Sequence, residues 1–177
     1  MFSFLSKTWS MFYSKPKKIV IIGLDAAGKT SLLYRIQKPE NIKKNSILYY
    51  RSLCTEYNEF QFFSYDVGGN EKQALLWSKY LQGKDGIIFM IDSYDIERLD
   101  EVKEQFQLMI KNLTHIPLLV MANKQDMIGA LKKEEIIELL DMNNIKDRKW
   151  NVVETSMANG KGIIESFDWL SETLLNS

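Results

Sequence analysis

The segment Gly23 to Thr30 matches a pattern that binds phosphate groups, G-x-x-x-x-G-K-[ST]. Its glycines let the backbone turn so that successive N–H groups point at phosphate oxygens, and a following helix adds its positive N-terminal end. Lys29 would reach the β- and γ-phosphates of a nucleotide, and the Thr30 hydroxyl would bind Mg²⁺. The alternative is a plain turn. A strand pattern before the segment and a helix pattern after it favour the phosphate loop.

The tetrapeptide Asn123-Lys124-Gln125-Asp126 carries groups that distinguish guanine from adenine. The Asp126 carboxylate can accept hydrogen bonds from N1–H and from the exocyclic amino group of guanine, a pairing that adenine cannot match. Asn123 can bond the N7 side of the purine, and the stem of Lys124 can pack over the base. Alone, the tetrapeptide would indicate only a helix-capping turn. After a buried strand and downstream of a phosphate loop, it predicts a guanine site.

Two further loops follow strand-like segments. Asp66-Val67-Gly68-Gly69 could hold Mg²⁺ through a water at Asp66 and contact the γ-phosphate through the Gly69 N–H, although by itself the segment could be an ordinary β-turn. Thr155-Ser156-Met157 could present backbone N–H groups to guanine O6, and a simple loop is the alternative interpretation. Both loops fit a single pocket shared with the first two motifs.

The elements that must position these residues alternate between strands and helices after the first 16 residues, which predicts an α/β fold. Parallel strands bind ligands at their carboxyl ends, where the polar residues of this chain fall. Apolar residues at helical spacing mark two amphipathic helices, Leu99 to Leu113 and Ile163 to Leu174. The predicted strands are Lys18–Gly23, Gly86–Asp92, Pro117–Asn123 and Trp150–Thr155, with an antiparallel pair at Ile47–Glu56 and Phe60–Asp66.

Composition excludes several other classes of protein. The chain has 177 residues, 45% of them hydrophobic, and a formal net charge of zero, so nothing global indicates nucleic acid as a partner. The one cysteine, Cys54, fits a reducing compartment, and the one histidine, His115, has no neighbours for a zinc site. No apolar run approaches the roughly 18 residues of a membrane-spanning helix. The N-terminal residues lack an apolar signal core and a cleavage site.

Taken together, the segments GLDAAGKTS, DVGG, LLW, NKQD and FDWL resemble the ADP-ribosylation-factor and Arf-like (Arf/Arl) family of small GTPases, in order and spacing, over the whole chain. The resemblance implies a P-loop GTPase fold with a six-stranded, mostly parallel sheet and helices on both faces. It implies an N-terminal amphipathic helix over residues 1–16, released to membrane on GTP loading, and a GTPase domain over residues 17–177. It also implies a GTP/GDP cycle in which a β-hairpin between two switch segments slides.

The resemblance assigns roles to individual residues. The metal-side groups are Thr30 and Asp66, the γ-phosphate glycine is Gly69, and the water-orienting position is Asn70. The aromatic trio that the family presents to effectors falls at Tyr50, Tyr65 and Trp77, for which ordinary packing of a hairpin against a helix is an equal alternative. The implied nucleotide-binding set is Asp25, Ala26, Ala27, Gly28, Lys29, Thr30, Ser31, Gly69, Asn123, Lys124, Asp126, Ser156 and Met157.

Two departures concern the γ-phosphate. The family's switch I threonine, a ligand of both Mg²⁺ and the γ-phosphate, falls at Ile47, which has no ligand atom; Ser46 could substitute only if the loop shifts by one residue. The family's water-orienting glutamine falls at Asn70, whose amide sits on a side chain one methylene shorter. Because water positioning is sensitive to displacements of about 1 Å, slow or absent intrinsic hydrolysis is expected.

A third departure lies at the N-terminus, where Phe2 replaces the family's myristoyl-acceptor glycine and excludes N-myristoylation. Aromatic and apolar residues still share one helical face, with a basic patch after it, which favours reversible membrane contact over permanent packing in a groove of the domain. The face comprises Phe2, Leu5, Trp9, Phe12 and Tyr13, and the patch comprises Lys15, Lys17 and Lys18.

These patterns predict a guanine-nucleotide switch at the cytosolic face of the Golgi or another endomembrane. Its implied partners are an exchange factor, a GTPase-activating protein and an effector. The main alternative is a nucleotide-bound scaffold that has lost switching, motivated by Ile47 and Asn70. A nucleotide kinase is a third possibility, but no second-substrate pocket or arginine-rich lid is recognisable in the sequence.

Overall fold

The computed structural model describes residues 15–37, 43–47, 50–57, 60–65, 81–111 and 115–175. The N-terminal helix predicted over residues 1–16 therefore lies almost entirely outside the described residues. Within them, no helix is long and apolar enough to cross a bilayer.

A seven-stranded sheet forms the centre of the fold, in the order β2-β3-β4-β1-β5-β6-β7. The strands are β1 (Lys17–Ile22), β2 (Lys43–Ile47), β3 (Tyr50–Tyr57), β4 (Phe60–Tyr65), β5 (Gly86–Asp92), β6 (Leu118–Asn123) and β7 (Trp150–Glu154). The helices are α1 (Lys29–Ile36), α2 (Leu99–Lys111), α3 (Lys133–Leu139) and α4 (Ile163–Leu175), with 3₁₀ turns at Ile96–Arg98 and Met142–Asn144.

The pairing of the strands confirms the predicted mostly parallel sheet. Strand β1 pairs in parallel with β4 and β5, and β5, β6 and β7 continue in parallel. Strands β3 and β4 are antiparallel neighbours, as the hairpin pattern predicts. All six predicted strands are present.

The seventh strand, β2, was not predicted and lies at the edge of the sheet. It pairs antiparallel with β3, and its last residue, Ile47, stands opposite Tyr50. The predicted strand Ile47–Glu56 is therefore wrong at its start, because Ile47 ends β2 and β3 begins at Tyr50. The segment Lys43–Ile47 has two lysines and an asparagine in five residues, so it lacks the apolar alternation from which a strand is usually predicted.

Both faces of the sheet are buried, which accounts for the continuous apolar runs in its central strands. In β1, Ile19 and Ile21 pack in one core cluster with Leu32 of α1 and Leu170 of α4. Val20 and Ile22 of the same strand point the other way, into a second cluster that includes Phe106 of α2 and Ile136 of α3. The alternation of Cβ directions thus places helices on both faces.

The carboxyl ends of the parallel strands meet at one edge of the sheet. At this edge Asp92 of β5 stands in register with Asn123 of β6, and Glu154 ends β7 next to them. The segment that follows β1 begins at the same edge with Gly23. The fold thus brings three of the four predicted loops together, as expected for an open α/β sheet.

Candidate functional site: a phosphate loop joined to a base-selective loop

The predicted phosphate loop lies between a strand and a helix, as its pattern requires. Strand β1 ends at Ile22, and α1 begins at Lys29. Gly28 precedes the helix with a φ of 106°, a left-handed conformation that favours glycine. Ala26, also in this loop, has a φ of 58° and is one of four non-glycine residues with positive φ in the described part of the chain. Such backbone conformations concentrate where a loop must present groups to a ligand.

Lys29 lies across the beginning of this loop. Its side chain is buried, at 3% exposure, and Nζ donates to the carbonyl oxygens of Gly23 at 2.9 Å and Leu24 at 2.7 Å. These two bonds hold the Lys29 ammonium group at the start of the loop. The position fits the role predicted for the lysine.

Thr30 and Ser31 occupy the first turn of α1, where the helix leaves its first N–H groups unpaired within the helix. Thr30 is half-buried and Ser31 is exposed. Among the described residues, no group of three or more His, Cys, Asp or Glu side chains could hold a metal ion. A lone hydroxyl beside a phosphate loop nevertheless fits Mg²⁺, which takes one or two protein ligands together with phosphates and waters.

Asn123 joins the phosphate loop to the loop Lys124-Gln125-Asp126, which is predicted to select the base. It is buried, at 2% exposure, and its Nδ2 donates to the carbonyl oxygen of Ala27 at 2.8 Å. Its Oδ1 accepts from the backbone N–H of Met157 at 3.1 Å and from the hydroxyl of Thr155 at 3.5 Å. The amide is therefore engaged with protein groups at both ends. Asn123 was predicted to bond the purine, and only the second hydrogen of Nδ2 is left for that contact.

Close packing at this junction accounts for Gly28. A Cβ on Gly28 would lie 2.3 Å from Nδ2 of Asn123, closer than real Cβ contacts allow. The glycine is thus required by its φ and by the approach of the asparagine.

Ser156 lowers the pKa of the Asp126 carboxyl group. The Ser156 hydroxyl donates to Oδ1 of Asp126 at 2.5 Å, and this bond, followed by a backbone hydrogen bond, lowers the pKa of the carboxyl group. A carboxylate kept ionised is the form that accepts hydrogen bonds from guanine. The backbone N–H groups predicted to face guanine O6 have other partners here, because Ser156 N–H donates to Lys161 and Met157 N–H donates to Asn123.

Lys124 lies at the end of β6 with a φ of 66°. Its Nζ forms an ion pair of 2.6 Å with Oδ2 of Asp92, the last residue of β5. The sequence analysis did not assign Asp92 to the site, although a polar residue closing a buried strand is the pattern by which it could have been found. The pair fixes the lysine stem beside the loop that carries Asp126.

Arg35 links α1 to the loop that follows β7, which carries Ser156 and Met157. The sequence analysis did not assign Arg35 to the site. Its Nε donates to the carbonyl oxygen of Met157 at 2.7 Å, and its Nη2 donates to that of Ala158. The helix that begins at the phosphate loop therefore ends by holding the loop that carries Ser156. A single arginine on a helix has no local pattern that reveals such a contact.

Several predicted residues lie outside the described residues: Asp66, Gly69, Asn70 and Trp77. Of Tyr50 and Ile47, the structure describes the backbone pairing in β3 and β2. Tyr65 is half-buried at the end of β4 and packs against the core cluster of α2 and α3, which agrees with the packing alternative for this residue. Burial raises its pKa, with a smaller contribution from the charge of Cys54.

Comparison with known proteins decides the family. The model of the ADP-ribosylation factor family matches residues 1–174. The chain belongs to the Arf family of small GTPases.

Individual Arf-family relatives agree with this assignment. The chain is 41% identical over 177 residues to ADP-ribosylation factor J of Dictyostelium discoideum, covering 98% of this chain and 94% of that protein. Identity and coverage are the same for ADP-ribosylation factor K of that organism. Among solved structures, the Arl6 BBS3 small GTPase of Trypanosoma brucei, with the bound nucleotide analogue GppNp, has a TM-score of 0.75 and 30% identity. That match covers 91% of this chain and 98% of the other.

Membership of the Arf family gives the chain's general character. Arf-family proteins bind GTP and GDP, generally hydrolyse GTP, associate peripherally with membranes, and work with exchange factors, GTPase-activating proteins and effectors. The predicted family and P-loop GTPase fold are confirmed. Family membership also argues against the nucleotide kinase that the phosphate loop alone allowed.

Proposed function

We propose that this chain is a switch that binds GTP and GDP with Mg²⁺, hydrolyses GTP weakly by itself, and acts in membrane or vesicle trafficking. The observation that carries the proposal is the bond from Asn123 to Ala27, which unites a phosphate loop with a guanine-selective loop. A site built from these two loops recognises both ends of a guanine nucleotide. Binding at both ends leaves the γ-phosphate as the group that differs between the two bound states.

The position of β2 supports a switch in the segment that carries Ile47. Strand β2 is three strands away from β1 in the sheet, a separation of about 14 Å at the usual strand spacing. Ile47 lies at the end of the sheet that holds the phosphate loop, because Ser52 of β3 is in register with Tyr65 at the end of β4. Residue 47 must leave the edge of the sheet to approach a γ-phosphate. Contact with that phosphate and pairing in β2 are then mutually exclusive.

The residues proposed to handle the γ-phosphate explain the weak hydrolysis. Thr30 and, through a water, Asp66 would hold Mg²⁺, and the Gly69 N–H would contact the γ-phosphate. Asn70 would orient the attacking water from a side chain one methylene too short. Ile47 would add no ligand to Mg²⁺, so the γ-phosphate would order this switch less strongly than a threonine does.

Membrane contact is proposed for residues 1–16, on the cytosolic face of the Golgi or another endomembrane. Phe2 and Trp9 lie on the apolar face of the predicted amphipathic helix, which could insert at a bilayer interface. Exchange factor, GTPase-activating protein and effector would bind the switch and hairpin surface around Tyr50, Tyr65 and Trp77. Tyr65 is half-buried, so part of the residue's surface is exposed in this region.

A nucleotide-bound scaffold without switching is the second candidate, and the observation that favours it is the isoleucine, which has no ligand atom, at the end of β2. If Ile47 makes no favourable contact with the γ-phosphate, no interaction with the nucleotide competes with the hydrogen bonds between β2 and β3. The segment would then stay at the sheet edge with either nucleotide.

Amide hydrogen exchange of the full chain, loaded with GDP or with a non-hydrolysable GTP analogue, separates the two candidates. A switch predicts faster exchange at residues 43–47 and a change at residues 1–16 with the analogue. Equal protection of both segments in both states contradicts the switch. Single-turnover phosphate release tests turnover, with Lys29→Ala as the inactive control.

A further inference from the structure

Arg98 lies between two carboxylates, one of them in the phosphate loop. Its Nη1 donates to Oδ1 of Asp25 at 2.8 Å, and its Nη2 is 3.5 Å from the carbonyl oxygen of the same residue. Its Nε donates to Oδ2 of Asp95 at 2.6 Å. Arg98 thus approaches Asp25 through the two terminal nitrogens of its guanidinium group, while Asp95 holds the group from its other edge. Because Arg98 immediately precedes α2, its backbone position is set by the fold.

Lys29 indicates which end of the phosphate loop Asp25 occupies. Lysine in this motif reaches the β- and γ-phosphates, whereas the N–H groups nearer the helix contact the α- and β-phosphates. The Lys29 ammonium group bonds the carbonyls of Gly23 and Leu24, at the start of the loop. Asp25 is the next residue. Its carboxylate therefore belongs to the γ-phosphate end of the site.

A carboxylate at the γ-phosphate end of the site weakens the binding of a nucleoside triphosphate. The terminal phosphate of GTP carries more negative charge into this end of the site than GDP does, and like charges repel. Asp25 is 76% exposed on its side chain, so solvent and salt screen part of this effect. The Arg98 guanidinium neutralises the carboxylate and holds it on the α2 side. The hydrogen bonds that Arg98 donates to Asp95 and Asp25 raise the pKa of Arg98, which keeps it charged at all ordinary pH values.

We propose that Arg98 is a positioning residue of the nucleotide site, which neutralises and orients Asp25 so that the phosphate loop accepts a triphosphate as readily as a diphosphate. The inference rests on the proposed function, because it concerns the preference of that same site. It assigns a role in nucleotide discrimination to a residue outside the four sequence motifs.

The test measures dissociation constants of fluorescent GDP and of a fluorescent non-hydrolysable GTP analogue, in Mg²⁺ buffer, on the full chain. Arg98→Ala is expected to weaken binding of the analogue about fivefold, as for an exposed charge interaction, with less than twofold change for GDP. Asp25→Asn in the Arg98→Ala background removes the unpaired carboxylate and is expected to restore the ratio of the two constants. Lys103→Ala is the matched control, because it removes one positive charge from an exposed position on α2.

A structural role for Arg98 would give a different result. If Arg98 only braces the loop, Arg98→Ala weakens both nucleotides equally and the second substitution restores nothing; either result overturns the proposal. The ratio in Arg98→Ala is further expected to approach the wild-type value at high salt, because screening acts on the repulsion. A salt-independent ratio also counts against it. Failure of the wild-type chain to bind either guanine nucleotide would instead overturn the proposed function.

Discussion

Nδ2 of Asn123 donates to the carbonyl oxygen of Ala27 at 2.8 Å, across 96 residues of sequence. The other end of the same amide accepts the backbone N–H of Met157. One buried side chain therefore holds the phosphate loop, the end of β6 and the loop after β7 in a fixed arrangement. The asparagine of this motif therefore bonds mainly to protein groups, and Asp126 is the residue proposed to select guanine.

Replacing Asn123 by alanine should weaken the whole site. The substitution leaves the Ala27 carbonyl and the Met157 N–H without their partner, at a cost of roughly 1–3 kcal/mol for each buried group that stays unpaired. Chemical denaturation should show a lower free energy of unfolding, and both GDP and a GTP analogue should dissociate faster. Asn144→Ala, at an exposed asparagine that bonds Asp141, is the control. Equal free energies of unfolding for the two variants would show that the hydrogen bonds of Asn123 stabilise the protein no more than those of an exposed asparagine.

Gly28→Ala should damage the site more than an alanine at another glycine of positive φ. At Gly28 the added methyl would meet Nδ2 of Asn123 at 2.3 Å, whereas at Gly129, with a φ of 91°, it would meet nothing within 4 Å. Backbone strain is common to both substitutions, so the difference between them reports the clash. We expect Gly28→Ala to lose about 1–3 kcal/mol more than Gly129→Ala in unfolding experiments. A smaller loss at Gly28 than at Gly129 would contradict the packing described for this junction.

The affinity for guanine nucleotide should depend on pH through Asp126. The Ser156 hydroxyl and a backbone hydrogen bond lower the pKa of Asp126, so the carboxylate stays ionised to a lower pH than an ordinary aspartate does. Affinity measured by fluorescence should therefore be nearly constant from neutral pH until the pH approaches this lowered pKa. In Ser156→Ala the pKa rises toward its ordinary value, and affinity should begin to fall at a higher pH. Identical profiles, with circular dichroism confirming that both proteins stay folded, would exclude this role for Ser156.

Replacing Asn70 and Ile47 by the residues that the Arf family has at these positions should increase the rate of GTP hydrolysis. Asn70→Gln lengthens the side chain by one methylene, and Ile47→Thr supplies a hydroxyl ligand. Because misplacing a reacting group by about 1 Å can cost on the order of a hundredfold, single-turnover phosphate release should rise markedly in the double variant. Asn144→Gln combined with Ile164→Thr makes the same chemical changes at exposed positions. If the double variant releases phosphate no faster than this control, the two departures do not limit turnover.

Much of this fold and site was predictable because the determining patterns are local. The buried runs of β1, β5 and β6 have an unmistakable composition, and the glycines and lysine of the phosphate loop lie close together in sequence. Strand β2 was not predictable, because hydrogen bonding to β3 rather than apolar alternation defines it. Asp92, Arg35 and Arg98 were missed because each acts through a partner that only the fold brings near. The roles of Asn123 and Ser156 likewise depend on tertiary contacts.

The central claim is that this site selects guanine through Asp126, and a competition panel tests it most directly. Unlabelled GTP, ATP and xanthosine triphosphate compete with fluorescent GDP on the wild-type chain and on Asp126→Asn. An amide at position 126 offers a donor to the 2-oxo group of xanthine where the carboxylate accepts from the amino group of guanine. We predict a preference for GTP in the wild type and for xanthosine triphosphate in the variant. A wild-type preference for ATP, or an unchanged order in the variant, would contradict the account.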